Sequence, residues 1–132
     1  MRRLAPFLAL VLAGPAFADA GDPVAGRDVF LSYCAVCHGM RATGDGPMAD
    51  VLKARPADLT QLAASNGGVF PVLRVVRQVD GRDPMLAHGG EMPLYGELFR
   101  FPDGAISSET GQPIVTAQPI ADVAAYLATI QE

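Results

Sequence analysis

Apolar positions recur at three- and four-residue spacing in three stretches of the chain, each with its own start or stop signals. In the first, Asp22 suits a helix cap and Pro23 the opening position, and Val24, Phe30 and Leu31 continue the pattern up to Cys34. Gly26 lies four before Phe30, on the same face. A glycine costs a helix about 1 kcal/mol relative to alanine, so its presence there predicts close approach of another helix. In the second stretch, Pro71 precedes an apolar face of Val72, Leu73, Val75, Val76 and Val79 that ends near Asp80-Gly81. Its β-branched residues admit a strand, but the spacing favours a helix. In the third, Pro119 opens a helix with Ile120, Val123, Ala124, Leu127 and Ile130 in one stripe and Tyr126 beside it.

The intervening patterns are shorter. Gly39 to Gly46 reads as a loop, and Pro47 begins a short helix to about Ala54. Asp58 caps another to about Asn66, where Gly67-Gly68 stops it. Residues 82 to 93 read as loop, and Leu94 to Arg100 as one helical turn or two. Residues 101 to 118 hold Pro102, Asp103-Gly104, Gly111 and Pro113, which predicts a small hairpin or an irregular lobe. No internal repeat or low-complexity segment occurs.

The first residues follow a different logic. Arg2 and Arg3 precede an apolar run from Leu4 to Gly14, broken by Pro6, and Ala16-Phe17-Ala18 offers small residues at a cleavage site. These are the three parts of a secretory signal, removed most simply after Ala18, leaving residues 19–132 as a single domain. The apolar run to Ala18 falls short of the roughly 20 residues that span a bilayer. Cleavage removes two arginines and no acid, so the net charge moves from −4 to −6. The mature form is expected to be soluble and without a membrane span, and in a bacterium periplasmic. The 132 residues suit one domain, and no basic stripe points to nucleic acid. Half the residues are hydrophobic and 18% charged, which excludes a disordered chain.

Cys34 and Cys37 are the only cysteines, and His38 follows at once. In an exported protein two cysteines invite a disulfide, and C-x-x-C also suits a thioredoxin-like redox pair. The latter goes with a βαβ pattern, which is not evident. Zinc needs about four ligands, and the second histidine, His88, lacks the close spacing of a finger. C-x-x-C-H is the attachment signature of c-type haem. On a helical turn both thiols lie on one side, each able to bond a vinyl group, and the next residue points its imidazole at the iron.

With these residues the sequence resembles the class I, mono-haem c-type cytochromes over roughly residues 22 to 132. The resemblance rests on Gly26 and Phe30, Cys34-Ala35-Val36-Cys37-His38, Gly46-Pro47, Met92-Pro93 and Tyr126-Leu127. It implies an all-α cytochrome c fold, about five short helices around one covalently attached haem c. The 97–118 segment is then an insertion before the last helix. It further implies that Gly26 and Phe30 meet Tyr126 and Leu127, and that Cys34 and Cys37 carry the haem as thioethers.

His38 is the expected proximal iron ligand. Met40 lies too close to it to reach the opposite face, and Met48 belongs to a segment expected on the proximal side. Met85, Met92 and His88 follow the second apolar stretch. Met92 precedes Pro93, as the distal methionine of the family commonly precedes a proline, and it is the expected sixth ligand. The resemblance also places the Pro47 carbonyl against the His38 ring N–H. Arg74 and Arg77 are candidates for the haem propionates, with Arg55 and Lys53 on similar footing and Tyr95 and Asn66 behind them. Val72, Val76, Leu94 and Leu127 are expected to wall the haem from water.

His/Met ligation suits electron transfer. The expected function is therefore one-electron transfer between redox proteins by a carrier rather than an enzyme, as a monomer or in transient complexes. Acidic charge predicts partners with basic docking faces and salt-sensitive association. Three alternatives stand beside it. One is a dedicated subunit of a periplasmic dehydrogenase or oxidase, docking through the 97–118 segment with exposed Phe99 and Phe101. The others are a gas sensor or peroxidase with an open sixth position, and a thiol–disulfide enzyme.

Overall fold

The structure is a computed structural model that describes residues 21–82 and 92–132. The secretory-signal segment, Met85, His88 and the glycines before Met92 lie outside the described residues. Helix α1 (Pro23–Val29) starts as expected, with the Asp22 carboxylate accepting the Val24 N–H at 2.8 Å. It does not end at Cys34. It runs through a π-helical turn (Phe30–Cys34) into α2 (Ala35–His38), which Gly39 closes. The wider turn puts a change of helical phase at the first residue of C-x-x-C-H; such π-turns often mark functional sites.

The next two expected helices are much shorter. Ala49–Val51 forms a single 3₁₀ turn in place of a helix from Pro47 to Ala54. The stretch from Asp58 to Asn66 splits into 3₁₀ turns at Leu59–Gln61 and Ala64–Asn66. The Asp58 cap is present, accepting from Thr60 N–H at 2.9 Å, and Gly67 ends the run in the left-handed region. What breaks the helix is the C-terminal tail. The Gln131 amide donates to the Leu59 carbonyl at 2.8 Å and accepts the Ala63 N–H at 2.9 Å. Those two groups, four residues apart, would bond each other in an α-helix, so the side chain sits inside the ladder.

Helix α3 (Val72–Asp80) settles the strand-or-helix ambiguity, burying Val75, Val76 and Val79, with Gly81 as its left-handed cap. Residues 94–100 form one turn, with the Leu98 and Phe99 N–H groups both donating to the Tyr95 carbonyl. The 101–118 segment contains an antiparallel hairpin of β1 (Gly104–Ser107) and β2 (Pro113–Thr116), in which Ile106 faces Ile114. Both isoleucines are buried in the core, and Val115, paired with Ala105 one position along, points outward. Helix α4 (Gln118–Thr129) begins with Pro119 in its first turn, and its Gln118 N–H donates to the Asp103 carboxylate at 2.9 Å.

The crossing of α1 and α4 is the organising contact. A Cβ at Gly26 would lie 1.9 Å from the Asp122 carbonyl oxygen, so only a glycine permits this approach. Gly26 therefore meets Asp122 and Val123, one turn before the Tyr126 and Leu127 expected for it. Phe30, fully buried, meets Tyr126 with ring centroids 5.5 Å apart. Asp122, itself buried, ties the crossing by accepting from the Asp22 N–H and the Gln118 amide at 2.8 and 2.7 Å. Phe30, Ile120, Val76 and Val123 are the largest fully enclosed side chains.

Candidate functional site

Beneath this crossing lies a predominantly apolar cavity of about 440 Å³. The first helical segment contributes Phe30, Tyr33, Cys34, Cys37 and His38 to its wall. The loop over residues 52–59 adds Leu52, Pro56, Ala57 and Leu59, and α3 adds Arg74, Val75, Gln78 and Val79. Met92, Pro93 and Tyr95 arrive from the segment after α3, and Val123 and Leu127 from α4. The two cysteines, His38 and Met92, some 50 residues apart in the chain, thus face one chamber.

Local structure presents each group in a usable form. The His38 Nδ1–H donates to the Ala57 carbonyl at 3.0 Å, because a carbonyl can only accept. That leaves the Nε2 lone pair available, and burial lowers the ring's pKa despite the opposing pull of the Ala57 bond. Cys34 and Cys37 are free thiols. Burial, and the like charge of Cys37, push the Cys34 thiol up to about 11, so it stays protonated at neutral pH. This is the reverse of an attacking thiol in a disulfide exchanger, whose pKa is lowered. Among the described residues no group of three His, Cys, Asp or Glu is placed to hold a metal; His88 lies outside them.

The Met92 sulfur accepts from the Gln78 amide at 3.8 Å, within range for a sulfur acceptor. Tyr95 donates its hydroxyl to the Tyr33 carbonyl at 2.9 Å. Burial raises the Tyr95 pKa, reinforced by the Cys34 and Cys37 charges.

Several expected placements change. The Pro47 carbonyl is not the partner of His38, and Pro47 is exposed outside the cavity wall. The Gly46 and Met48 N–H groups donate to the Cys37 and Val36 carbonyls, which stitches that loop to the end of α2. The later loop carries Ala57 over the ring instead. Arg74 and Arg55 line the cavity, but Arg77 does not. It borders a separate surface hollow with Arg82 and β2, although three-residue spacing leaves it on the same side of α3 as Arg74. Lys53 is not in the wall. Tyr95 is committed to Tyr33, and the Asn66 amide donates to the Val69 carbonyl. Of the expected apolar wall, only Leu127 lines the cavity. Val75 and Val79 take the places of Val72 and Val76, and Leu94 packs over Gly81. Phe99 is half-buried against Tyr33, whereas Phe101 is 78% exposed.

The sequence pattern singles out neither Ala57 nor Gln78. Any residue supplies a carbonyl, so Ala57 left no signature. Gln78, one turn after Arg74 on a largely apolar face, was the available signal. The residues present fit a covalently held iron porphyrin: the volume lies within the roughly 300–1,000 Å³ of cofactor pockets. The wall is apolar, and two thiols, a neutral imidazole and a thioether line it together. The sequence model of the family described as Cytochrome c matches residues 23–131. Neither the comparison with curated proteins nor that with solved structures yields a match.

Proposed function

Since the chain belongs to the cytochrome c family, with its covalent haem c and haem-based electron transfer, we propose that it is an exported one-electron carrier with His38 and Met92 as iron ligands. The observation that carries this reading is the shared cavity, into which Cys34, Cys37, His38 and Met92 all project a wall. The haem iron supplies the one-electron redox change when bound. Cys34 and Cys37 would hold the haem covalently, as thioethers. Ala57 holds the His38 ring by Nδ1, orients Nε2 and makes it more electron-donating. Gln78 occupies one lone pair of the Met92 sulfur and leaves the second for iron. Val75, Val79, Val123 and Leu127 exclude water, and Arg55 and Arg74 are the cations in the wall suited to the propionates. With both ligands retained in each oxidation state, little has to rearrange on electron transfer.

The leader is proposed to be cut after Ala18 and the domain to work in the periplasm. No helix among the described residues is long and apolar enough to cross a membrane. Visible spectra of the mature protein test the reading, recorded oxidised and reduced, with and without carbon monoxide. The expected parent is six-coordinate and low-spin, indifferent to carbon monoxide, with a far-red Met–ferric iron band that Met92→Ala abolishes. A high-spin or carbon-monoxide-reactive parent would sink the Met92 assignment and favour sensing or peroxide chemistry. The exposure of Phe101, with Leu98 57% exposed nearby in sequence, favours a second reading as a dedicated subunit docked through this lobe. Gel filtration of native extract separates the two by apparent size.

A further inference from the structure

The stretch from Met92 to Gly96 is fastened at its Gly96 end. The Tyr95 N–H donates to the Val79 carbonyl at 2.8 Å. A Cβ on Gly96 would lie 2.2 Å from the Asp80 carbonyl oxygen, so the segment runs hard against the end of α3. These contacts fix the segment to α3, which is not the element that carries Cys34, Cys37 and His38. The link to that element is the Tyr95 hydroxyl, which donates to the Tyr33 carbonyl at 2.9 Å. Tyr33 is the residue before Cys34 and lies in the π-helical turn. Around the bond, Tyr33, Tyr95 and Phe99 make a three-ring cluster. Tyr33 meets Phe99 edge-on at 5.4 Å, and Tyr95 stacks on Phe99 at 6.3 Å.

We propose that Tyr95 is a positioning residue that clamps the Met92 arm to the attachment helix and sets how readily the Met92 sulfur leaves the iron. The proposal rests on Met92 as the sixth ligand. For the sulfur to swing out, the arm must part from the attachment helix, and the Tyr95–Tyr33 bond and its ring cluster oppose that motion. Only Pro93 and Leu94 lie between Met92 and Tyr95, so the two Cα atoms can be at most about 10 Å apart, and holding Tyr95 limits how far Met92 can move. Tyr95 touches neither the iron nor a partner in this account. It acts through Met92.

The test is imidazole binding to the ferric holoprotein, followed as loss of the far-red band. Tyr95→Phe keeps the ring and removes the hydroxyl. It should leave the resting band in place while imidazole displaces Met92 about three- to tenfold more readily, the loss of one hydrogen bond. Phe99→Leu, which keeps the hydroxyl and removes the stacked ring, should move the same rate in the same direction. Thr129→Val deletes a comparable hydroxyl bond, to the Tyr126 carbonyl at 2.7 Å, and should leave the rate at the parent value. Parent-like rates in both Tyr95→Phe and Phe99→Leu would overturn the clamp. Equal acceleration by Thr129→Val would also overturn it, by showing a general loss of stability. A parent without the far-red band overturns Met92 ligation and the clamp together, and is told apart by the parent spectrum alone.

Discussion

At the scale of single residues, the chemistry is set by which lone pairs are left over. His38 spends its Nδ1 proton on Ala57 and keeps Nε2. The Met92 thioether has two lone pairs and accepts from Gln78 with one of them. Donation from the amide draws electron density from sulfur, which weakens its support of ferric iron more than of ferrous iron. Gln78→Leu, similar in volume but without a donor, should therefore lower the reduction potential. The expected fall is about 20–60 mV, the one-electron equivalent of a hydrogen bond's net worth. A spectroelectrochemical titration reads it, and an unchanged potential with the far-red band intact would show that the amide does not act on the ligating sulfur. The motif residues were legible because their spacing is their chemistry: two thiols and an imidazole within one helical turn. Ala57 was not legible, because a backbone carbonyl carries no side-chain signal. Neither was the split between Arg74 and Arg77, since helical spacing alone does not say which side of α3 faces the cavity.

At the scale of elements, local chemistry predicts where several helices start or stop, but a cap does not keep a helix intact where a distant side chain enters it. Asp22-Pro23 and Gly81 mark helix ends by local chemistry, and the structure keeps them. The stretch from Asp58 to Asn66 also has a cap and a stop, yet Gln131, 68 residues from Ala63, opens its ladder. The π-helical turn before Cys34 likewise lacks a pattern in the apolar spacing. Gly26 lies between these cases. Its cost to the helix predicted a close neighbour, but the register of the crossing, on Asp122 and Val123, came only with the fold. Gly26→Ala puts a methyl carbon where the Asp122 carbonyl stands, backbone against backbone. The helices must separate, which also strains the Asp22–Asp122 bond and the Phe30–Tyr126 contact. The expected loss is about 1–3 kcal/mol or more, as for other overpacked sites. Urea unfolding of the holoprotein should show a lower midpoint at an unchanged slope. A parent-like midpoint would mean that α1 and α4 are not pressed together as described.

At the scale of the whole molecule, charge at long range and charge at the cavity have opposite signs. The full chain carries −4, and the form without residues 1–18 carries −6. The cations in the cavity wall are Arg55 and Arg74, and the propionates proposed to meet them would cancel their field within one contact distance. A partner approaching from beyond the ~10 Å screening length at 0.1 M salt therefore meets a net acid, whatever lines the cavity. Exposed rings, Tyr33 at 40% and Phe101 at 78%, are the apolar groups proposed for close contact. The encounter is thus expected in two stages, steering by charge and then contact by apolar surface, with salt acting on the first only. Stopped-flow electron transfer with a basic redox protein should slow by about tenfold or more from low to physiological ionic strength, as steered associations do. With an acidic redox protein the rate should rise over the same range, because screening then removes a repulsion. Rates indifferent to salt with both would place recognition in the apolar surface alone, which is the behaviour of a subunit already seated on its partner.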